Sequence, residues 1–329
     1  MRDGQRMIQP IDFDRPGDLV TGLYDAFVAS NGDDHGPVPS LPWFSYVVTT
    51  GGAGGRSEAW VAAEGGRVVG GYALALPEDD NTHVGRLFTL VVRPERRGRG
   101  LGSVLFEHAL ERLRAHGRTL VLTATPDTGS GARFAAARGM TLSLTEARRT
   151  LDLRTADWAA LERMRPEVAG YHLERWVGPA GPELLQDLAT LMGGMNDAPR
   201  DADIEAANFS VDRVRSREQA LPVIGRIPYT MIARRTSDEA PAGYTRILVD
   251  EDRSDSWGYQ GDTTVLREHR GHRLGLLLKI GNLLWLRERE PHIERVITWN
   301  AVSNAHMLAI NEAMGFEFFD EQREWRLEI

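Results

Sequence analysis

The chain of 329 residues contains no cysteine, which excludes disulfide bonds, thiolate metal ligands and a cysteine nucleophile. Long apolar runs are also missing, because the most apolar stretch, LGLLLKIGNLLWL, is interrupted by Lys279 and Asn282. The first residues, MRDGQRMIQPIDFDRPGDL, lack the apolar centre of a secretion signal. From these absences we expect a soluble, cytoplasmic protein with no membrane contact.

Positive charge is scarce as well. The 39 lysine and arginine residues are outnumbered by 47 aspartate and glutamate residues, for a formal net charge of −8. This balance argues against a broad nucleic-acid interface and favours attraction of small cations, so we expect no nucleic-acid partner. Hydrophobic residues at 42% and charged residues at 26% are ordinary for a folded protein, and the length is sufficient for two domains.

One order of sequence elements occurs twice along the chain. In each half a strand-like segment leads into a basic glycine turn, RGRGLG at 97–102 and RGHRLG at 270–275, and a helical pattern follows. A further strand, a short helix and an exit glycine come next, 42 positions from the start of the first turn and 45 from the start of the second. This duplication predicts two domains of the α/β (α+β) class, residues 1–153 and 168–329, joined by a helical linker at 154–167.

Both turns have the features of an anion site. A helix that starts directly after a turn exposes backbone N–H groups and the positive end of its dipole, which together bind phosphate oxygens. Neither turn has the lysine of a nucleotide-binding P-loop, and Ser103 stands where a dinucleotide fingerprint needs its last glycine. The alternative is a merely solvated basic turn, but two copies at matching positions favour anion binding.

The turns also carry a family resemblance. VRPERRGRGLG at 92–102 resembles the acetyl-CoA signature (Q/R)xxGx(G/A) of the GNAT superfamily of N-acetyltransferases, and VLREHRGHRLG at 265–275 is the same pattern with Arg273 in place of its first glycine. The tandem arrangement is similar to mycothiol synthase-like and actinobacterial tandem members. The resemblance implies that each domain is a mixed, mainly antiparallel sheet flanked by helices. It further implies that acetyl-CoA is the co-substrate, and that the strand before each turn splays from its neighbour to admit the pantetheine arm.

The resemblance also assigns coenzyme contacts to both turns. In the first turn these are Val92, Arg97, Gly98, Arg99, Gly100, Leu101, Gly102 and Ser103. In the second turn they are Val265, Arg270, Gly271, His272, Arg273, Leu274 and Gly275. The family's usual general acid, a tyrosine four residues before the exit glycine, is replaced by Ala135 and Asn311. The first domain has no carboxylate on the strand before its turn and an exit helix made largely of alanine, so it is expected either to bind coenzyme without catalysis or to be purely structural.

The second domain has the better candidates for catalysis. Asp262 lies on the strand before the turn and is the candidate general base, with a solvated or structurally paired aspartate on an exposed face as the alternative. Asn304 and Asn311 are expected to position the thioester or a water. For a cationic acceptor we expect Asn196 and Asp197, in the acidic segment MNDAPRDADIE, with a solvated loop as the alternative.

We expect no bound metal. His269 and His272 have the spacing of metal ligands, but the neighbouring arginines of the second turn repel a cation.

The resulting hypothesis is an acetyl-CoA-dependent N-acyltransferase that acetylates a primary amine of a small molecule by direct attack on the thioester. The alternative is a coenzyme A-binding module without turnover. Either protein is expected to be a monomer or a homodimer.

Overall fold

The computed structural model describes residues 8–31, 36–52, 55–253 and 255–329. Contacts divide the chain into two compact units, one formed by Met1–Ser143 with Arg323–Ile329 and the other by Leu144–Gln322. Each unit is a mainly antiparallel sheet flanked by helices, as expected from the sequence, and the predicted fold class is confirmed. Among the described helices, none is long and apolar enough to cross a membrane.

The chain runs through the following elements in order. The first half contains β1 (Ile8–Pro10), α1 (Leu19–Asn31), α2 (Leu41–Thr50), β2 (Gly55–Glu64), β3 (Arg67–Pro77), β4 (Val84–Val92), α3 (Leu101–Ala115), β5 (Leu120–Pro126), α4 (Gly129–Ala137) and β6 (Thr141–Asp152). The second half contains α5 (Trp158–Met164), β7 (Tyr171–Val177), α6 (Leu185–Gly193), α7 (Val211–Val223), β8 (Arg226–Arg235), β9 (Pro241–Asp250), β10 (Trp257–Val265), α8 (Leu274–Arg289), β11 (Arg295–Ala301), α9 (Ala305–Ala313) and β12 (Glu317–Glu328).

The two units have related strand orders. In the first unit the order is β1-β2-β3-β4-β5, with the end of β12 next to β5. In the second unit it is β6-β11-β10-β9-β8-β7, with the start of β12 next to β6. Pairing is antiparallel through β2, β3 and β4 and through β7, β8, β9 and β10. The strands on either side of each glycine-turn helix, β4 with β5 and β10 with β11, are parallel, as a helical crossover connection requires.

The core of the first unit fills both faces of its sheet. Alternate strand residues point to opposite faces, so Tyr72 and Leu74 pack against α3, while Ala59 and Val61 pack against α1 and α2. On α3, residues at helical spacing such as Leu105 and Leu113 are fully buried. The second unit has the same arrangement, with α8 in one core cluster and α6 in the other.

Each unit contains a strand segment from the other half of the sequence. Most of β6, the last strand of the first half, belongs to the second unit, and the end of β12, the last strand of the second half, belongs to the first unit. Residues 146–152 of β6 pair with β11, and Leu151 is part of the core of the second unit. Conversely, Trp325 at the end of β12 packs in the core of the first unit. The predicted linker contains α5, whose Leu161 is buried in the core of the second unit. The limits of the compact units therefore differ from the predicted domain limits at residues 153 and 168. The predicted limits describe the duplicated segments of the sequence, and they stay a prediction.

This exchange predicts a stability effect at the end of the chain. Trp325 is buried and its Nε1 donates to Thr125 Oγ1 at 2.9 Å, so Trp325→Ala removes a large core side chain and leaves a cavity. We expect it to lower the free energy of unfolding by about 3–5 kcal/mol. The control is Glu328→Ala, whose side chain is 84% exposed and which should cost less than about 0.5 kcal/mol. Hydrogen exchange should become faster in β5, and faster exchange confined to β11 would contradict the assignment.

Candidate active site

The first glycine turn is open towards solvent. It connects β4 to α3 through a single 3₁₀ turn, Pro94–Arg96, and Gly98 and Gly100 have φ values of +72° and +82°. This left-handed region favours glycine. Among the described residues, no atom lies within 4 Å of a Cβ built on either glycine, which leaves space in front of the backbone. Since α3 begins at Leu101, the unpaired N–H groups of its first turn are presented beside this space.

Basic side chains border the same turn. Arg97 Nε donates to Val92 O at 3.0 Å and its Nη2 to Ser30 O at 3.3 Å, which fixes the guanidinium next to the turn. Ser103 Oγ accepts a hydrogen bond from Arg138, whose guanidinium lies 5.2 Å from the ring centre of Phe134. Arg138 thus adds a cation that the sequence motif did not reveal, because it lies 35 residues after Ser103.

The second turn repeats this backbone. A 3₁₀ turn, Arg267–His269, precedes it, and Arg270 Nε donates to Val265 O at 3.0 Å, as Arg97 does to Val92. Gly271 has φ +84°. Arg273 occupies the place of Gly100, just before the helix, with φ +61° and ψ +20°. A side chain in this conformation costs roughly 1–2 kcal/mol, so the fold retains a glycine-like turn without the glycine.

Two arginines at the second turn, Arg267 just before it and Arg270 at its start, are bound to a carboxylate. Arg267 makes two hydrogen bonds to Asp197, Nε to Oδ2 at 2.9 Å and Nη2 to Oδ1 at 2.5 Å, and Arg270 Nη2 reaches Oδ2 at 2.6 Å. Hydrogen bonds from these two arginines hold the pKa of Asp197 well below its ordinary value. Asn196 is bound to Ala207, with Nδ2 donating to O at 3.0 Å and Oδ1 accepting from N at 2.8 Å. The predicted role of both residues in acceptor binding stays a prediction. Arg267 was not among the predicted site residues.

The strand before each turn separates from its parallel neighbour. Pairing of β4 with β5 covers only Val84–Arg86, and pairing of β10 with β11 covers only Trp257–Tyr259. Both β4 and β10 then contain a bulge, with one extra residue at Phe88 in β4 and one between Gln260 and Thr263 in β10. A bulge bends a strand away from its neighbour. A gap therefore opens between the parallel strands next to each turn, as the resemblance implied.

Asp262 lies on the bulge of β10. Its Oδ2 accepts a hydrogen bond from Tyr244 Oη at 2.8 Å. Tyr244 is fully buried, and burial together with the charge of Asp262 raises the pKa of its hydroxyl well above the ordinary value. Asp262 itself is only half-buried. The carboxylate is thus oriented through one oxygen, an arrangement compatible with both sequence-based alternatives, and its role as base stays a prediction.

A buried amine supports this bulge. Lys279, the only lysine of the chain, is fully buried on α8, and its Nζ donates to Gln260 Oε1 at 3.1 Å. Gln260 Nε2 in turn donates to Arg246 O at 2.8 Å and Thr245 Oγ1 at 3.1 Å, which joins α8, β9 and the bulged strand. Burial lowers the pKa of Lys279 to about 7. From the sequence this lysine is only an interruption in an apolar run.

The lowered pKa predicts how stability depends on pH. The unfolded chain keeps the lysine protonated up to about pH 10.4, whereas the folded protein releases the proton near pH 7. Between these values the unfolded state binds more protons, so the free energy of unfolding should rise with pH, by at most about 1.4 kcal/mol per unit. Below pH 7 both states hold the proton and this contribution is constant. We expect Lys279→Met to flatten the rise seen in urea titrations at pH 7 to 10.

The single lysine also permits a direct measurement. Protein labelled with ¹³C-lysine should give one Cε signal that titrates near pH 7. Titration of that signal above pH 9 would contradict the prediction. So would a rise of the unfolding free energy with pH that Lys279→Met leaves unchanged.

The two predicted catalytic asparagines are placed differently. Asn304 Oδ1 accepts from Met307 N at 3.2 Å and thereby caps α9. Asn311 is fully buried, its Nδ2 donates to Asn300 Oδ1 at 2.7 Å, and its Oδ1 has no hydrogen-bond partner within the described residues. A buried acceptor without a donor is costly, and the predicted role of Asn304 and Asn311 in positioning the thioester or a water stays a prediction.

The histidines next to the second turn have protein partners. His269 is buried with Nδ1 3.0 Å from Tyr171 Oη, and the ring of His272 lies 5.6 Å from that of Tyr171. In the part of the chain that the structure describes, no group of three or more His, Asp or Glu side chains is placed to hold a metal ion. The two histidines therefore extend the aromatic packing beside the turn.

Comparison with known proteins places these features in context. The profile of the acetyltransferase (GNAT) family matches residues 22–140. Over 98% of both chains, the protein is similar to a tandem GNAT protein from the clavulanic acid biosynthesis pathway, with 30% sequence identity and a TM-score of 0.83. No curated protein matches the sequence.

More distant structures share the fold. A GCN5-related N-acetyltransferase from Sphaerobacter thermophilus is 15% identical, with 98% of this chain and 95% of that chain covered and a TM-score of 0.68. A GCN5-related glucosamine N-acetyltransferase region of a fungal multi-domain GH3 β-N-acetylglucosaminidase is 17% identical, with 98% of this chain and 38% of that chain covered and a TM-score of 0.66.

Proposed function

Because the chain belongs to the GNAT family of acetyltransferases, we propose that it transfers an acetyl group from acetyl-CoA to the primary amine of a small molecule. The resemblance drawn from the two glycine turns is confirmed, and the protein is an acetyltransferase of the tandem type. The observation that carries the proposal is the repeated arrangement of a bulged strand, a basic turn with positive φ values and a helix start, in each case beside a gap between parallel strands.

The residues of both turns fit the pyrophosphate of the coenzyme. Backbone N–H groups at the starts of α3 and α8 supply donors that have no partner within their helices, and the helix dipoles favour negative charge there. The positive φ values of Gly98, Gly100 and Gly271 leave the backbone accessible to a bulky anion. Arg97 and Arg270 are each fixed beside the turn through Nε on the last carbonyl of the strand, and their Nη2 groups donate to Ser30 O and to Asp197 Oδ2. The gap between the parallel strands then accommodates the pantetheine arm.

Acetyl transfer needs a neutral amine. An alkylammonium with a pKa of about 10.4 costs about 4.6 kcal/mol to deprotonate at pH 7. In our proposal Asp262 accepts this proton, directly or through a water, while Tyr244 fixes its other oxygen. The amine nitrogen forms the new bond to the acetyl carbon and releases its second proton to solvent, the carbon–sulfur bond breaks, and the coenzyme leaves as a thiolate that is later protonated from solvent.

The leaving thiolate needs little help. Its pKa of about 8.5 makes it a fair leaving group without a general acid, which is consistent with Ala135 and Asn311 standing at the tyrosine positions. Asn311 and Asn304 position the thioester or a water in this proposal, with Asn311 Oδ1 accepting a hydrogen bond.

The acceptor is proposed to be cationic before it reacts. The net charge of −8 attracts ammonium groups, and in our proposal they bind at Asn196 and Asp197, whose side-chain oxygens now accept from Ala207 N and from Arg267 and Arg270. The relative from the clavulanic acid pathway supports a small-molecule acceptor.

A coenzyme-binding module without turnover is the second candidate. It is favoured by the absence of both tyrosines and by the pairing of Asp197 with the second turn. A thiol-release assay with acetyl-CoA against polyamines, amino sugars and aminoglycosides separates the two candidates. We expect release above spontaneous hydrolysis with at least one amine. Coenzyme binding without such release for every amine would leave the binding module as the function.

A further inference from the structure

The loop that carries Asp197 is bound to the second turn through the carboxylate of that residue. Asp197 receives three hydrogen bonds from Arg267 and Arg270, although both arginines are exposed, with side-chain accessibilities of 77% and 47%. Charge-assisted hydrogen bonds of this geometry are the strong ones, and guanidinium groups form them with carboxylate and phosphate alike. The position that Asp197 occupies is therefore one that a phosphate oxygen can also occupy.

The short segment that carries Asp197 is seated directly on β10. It runs over Gly194–Asp197, and a Cβ at Gly194 would lie 2.8 Å from Thr264 Oγ1 and 3.1 Å from Leu266 Cδ2. The loop beyond it is closed on itself, because Asn196 binds both backbone groups of Ala207. Arg200 adds hydrogen bonds to the carbonyls of Asn196 and Ile204. Displacement of Asp197 therefore moves residues 195–207 as one piece.

We infer that Asp197 is an internal substitute for a coenzyme phosphate: the phosphate replaces it on Arg267 and Arg270, and the released carboxylate then binds the ammonium of the acceptor. This inference rests on the proposed function. The physical reason is that Asp197 occupies Nε and Nη2 of Arg267 and Nη2 of Arg270, so a phosphate that takes these donors displaces it, and the two anions repel each other at this distance. Arg267 becomes a coenzyme ligand, and Asp197 determines acceptor specificity only in the coenzyme-bound protein.

This exchange couples the two substrates. While Asp197 holds the arginines, the second turn is closed to phosphate, and its apparent affinity for coenzyme is reduced by the fraction of molecules that are open. If the turn is closed about nine-tenths of the time, the affinity is about tenfold lower than that of the open turn. By linkage, an amine that captures Asp197 raises the affinity for coenzyme by the factor by which coenzyme raises the affinity for the amine.

Calorimetric titration with coenzyme A tests the exchange. The protein carries Gly100→Glu to silence the first turn, and the titration is repeated after adding Asp197→Asn, which keeps the shape of the side chain and removes its charge. We expect the Kd at the second turn to fall about tenfold. The matched control is Asp203→Asn, which removes an exposed charge from the same loop and should change the Kd less than about twofold.

Hydrogen exchange of the backbone amides independently tests the replacement of Asp197 by phosphate. Coenzyme A should accelerate exchange over residues 195–207 when Asp197 is present, and Asp197→Asn should show the fast exchange before any addition. A Kd that Asp197→Asn leaves unchanged or raises, or an equal gain from Asp203→Asn, would overturn the inference. Absence of binding in every Gly100→Glu variant would overturn the second turn as a coenzyme site, and the inference with it. Thiol release by the unmodified protein tests the proposed function separately.

Discussion

Asp262→Asn is expected to lower turnover in the thiol-release assay at least about 100-fold, because a general base contributes typically ~100- to 10,000-fold. Asparagine has the shape of aspartate, and its amide oxygen still accepts the hydrogen bond that Tyr244 makes at 2.8 Å. The bulge and the buried hydroxyl therefore keep their partner, and only the capacity to take a proton is lost. Coenzyme affinity should remain nearly unchanged.

Tyr244→Phe is the control for this experiment. It keeps the carboxylate but removes the hydroxyl that orients it, so turnover should fall by much less than in Asp262→Asn. If the aspartate served only to satisfy the buried tyrosine, the two variants would behave alike. Near-normal turnover of Asp262→Asn at several pH values would remove Asp262 from the mechanism and would leave a water chain or the loop carrying Asp197 to take the proton.

The two glycine turns could be predicted from the sequence because the residues that form each turn are adjacent in the chain. A glycine at a positive φ and a helix that starts directly after it leave a signature within six residues, and the structure shows that backbone at 98–100 and again at 271–273. Arg273 departs from the pattern in residue type but not in conformation. The fold class followed from the order of the same elements, since a repeated crossover requires parallel neighbours.

The strand exchange was not predictable in the same way. Residues 148–153, RRTLDL, have the alternation of a strand with one buried face, but alternation does not specify which sheet covers that face. The choice depends on pairing with β11, about 150 residues later in the chain. Trp325 likewise contacts Thr125 across 200 positions. Contacts of this kind are set by tertiary packing.

The ionic partners of the site residues could not be predicted from the sequence either. The acidic segment around Asp197 indicates affinity for cations, yet nothing in it indicates that the nearest cations are Arg267 and Arg270 of the same chain. Lys279 interrupts an apolar helix pattern, which usually marks an exposed position. Its burial depends on Gln260, a residue of another element. Loop conformation and pairing between elements determine both cases.

Gly100→Glu is expected to weaken coenzyme binding at the first turn at least about 100-fold. Gly100 has φ +82°, and a Cβ there meets no atom of the described part of the chain and points to where the pyrophosphate would lie. The glutamate adds bulk and a negative charge. Two like charges about 6 Å apart repel by about 3 kcal/mol at an effective dielectric of 20, which is about a hundredfold in Kd. The fold should survive, because Arg273 already occupies the matching position of the second turn at φ +61°.

The matched control is Gly100→Arg, which reproduces the residue of the second turn. It imposes the same backbone strain and a longer side chain, but its charge attracts phosphate, so binding should be retained with at most a moderate loss. Calorimetry with coenzyme A, in protein whose second turn is disabled by Arg273→Glu, gives the affinity of the first turn alone. Equal losses in both variants would show that bulk rather than charge excludes the coenzyme. Unchanged affinity in Gly100→Glu would show that the pyrophosphate does not lie at this turn, and the open backbone between β4 and α3 would then need another explanation.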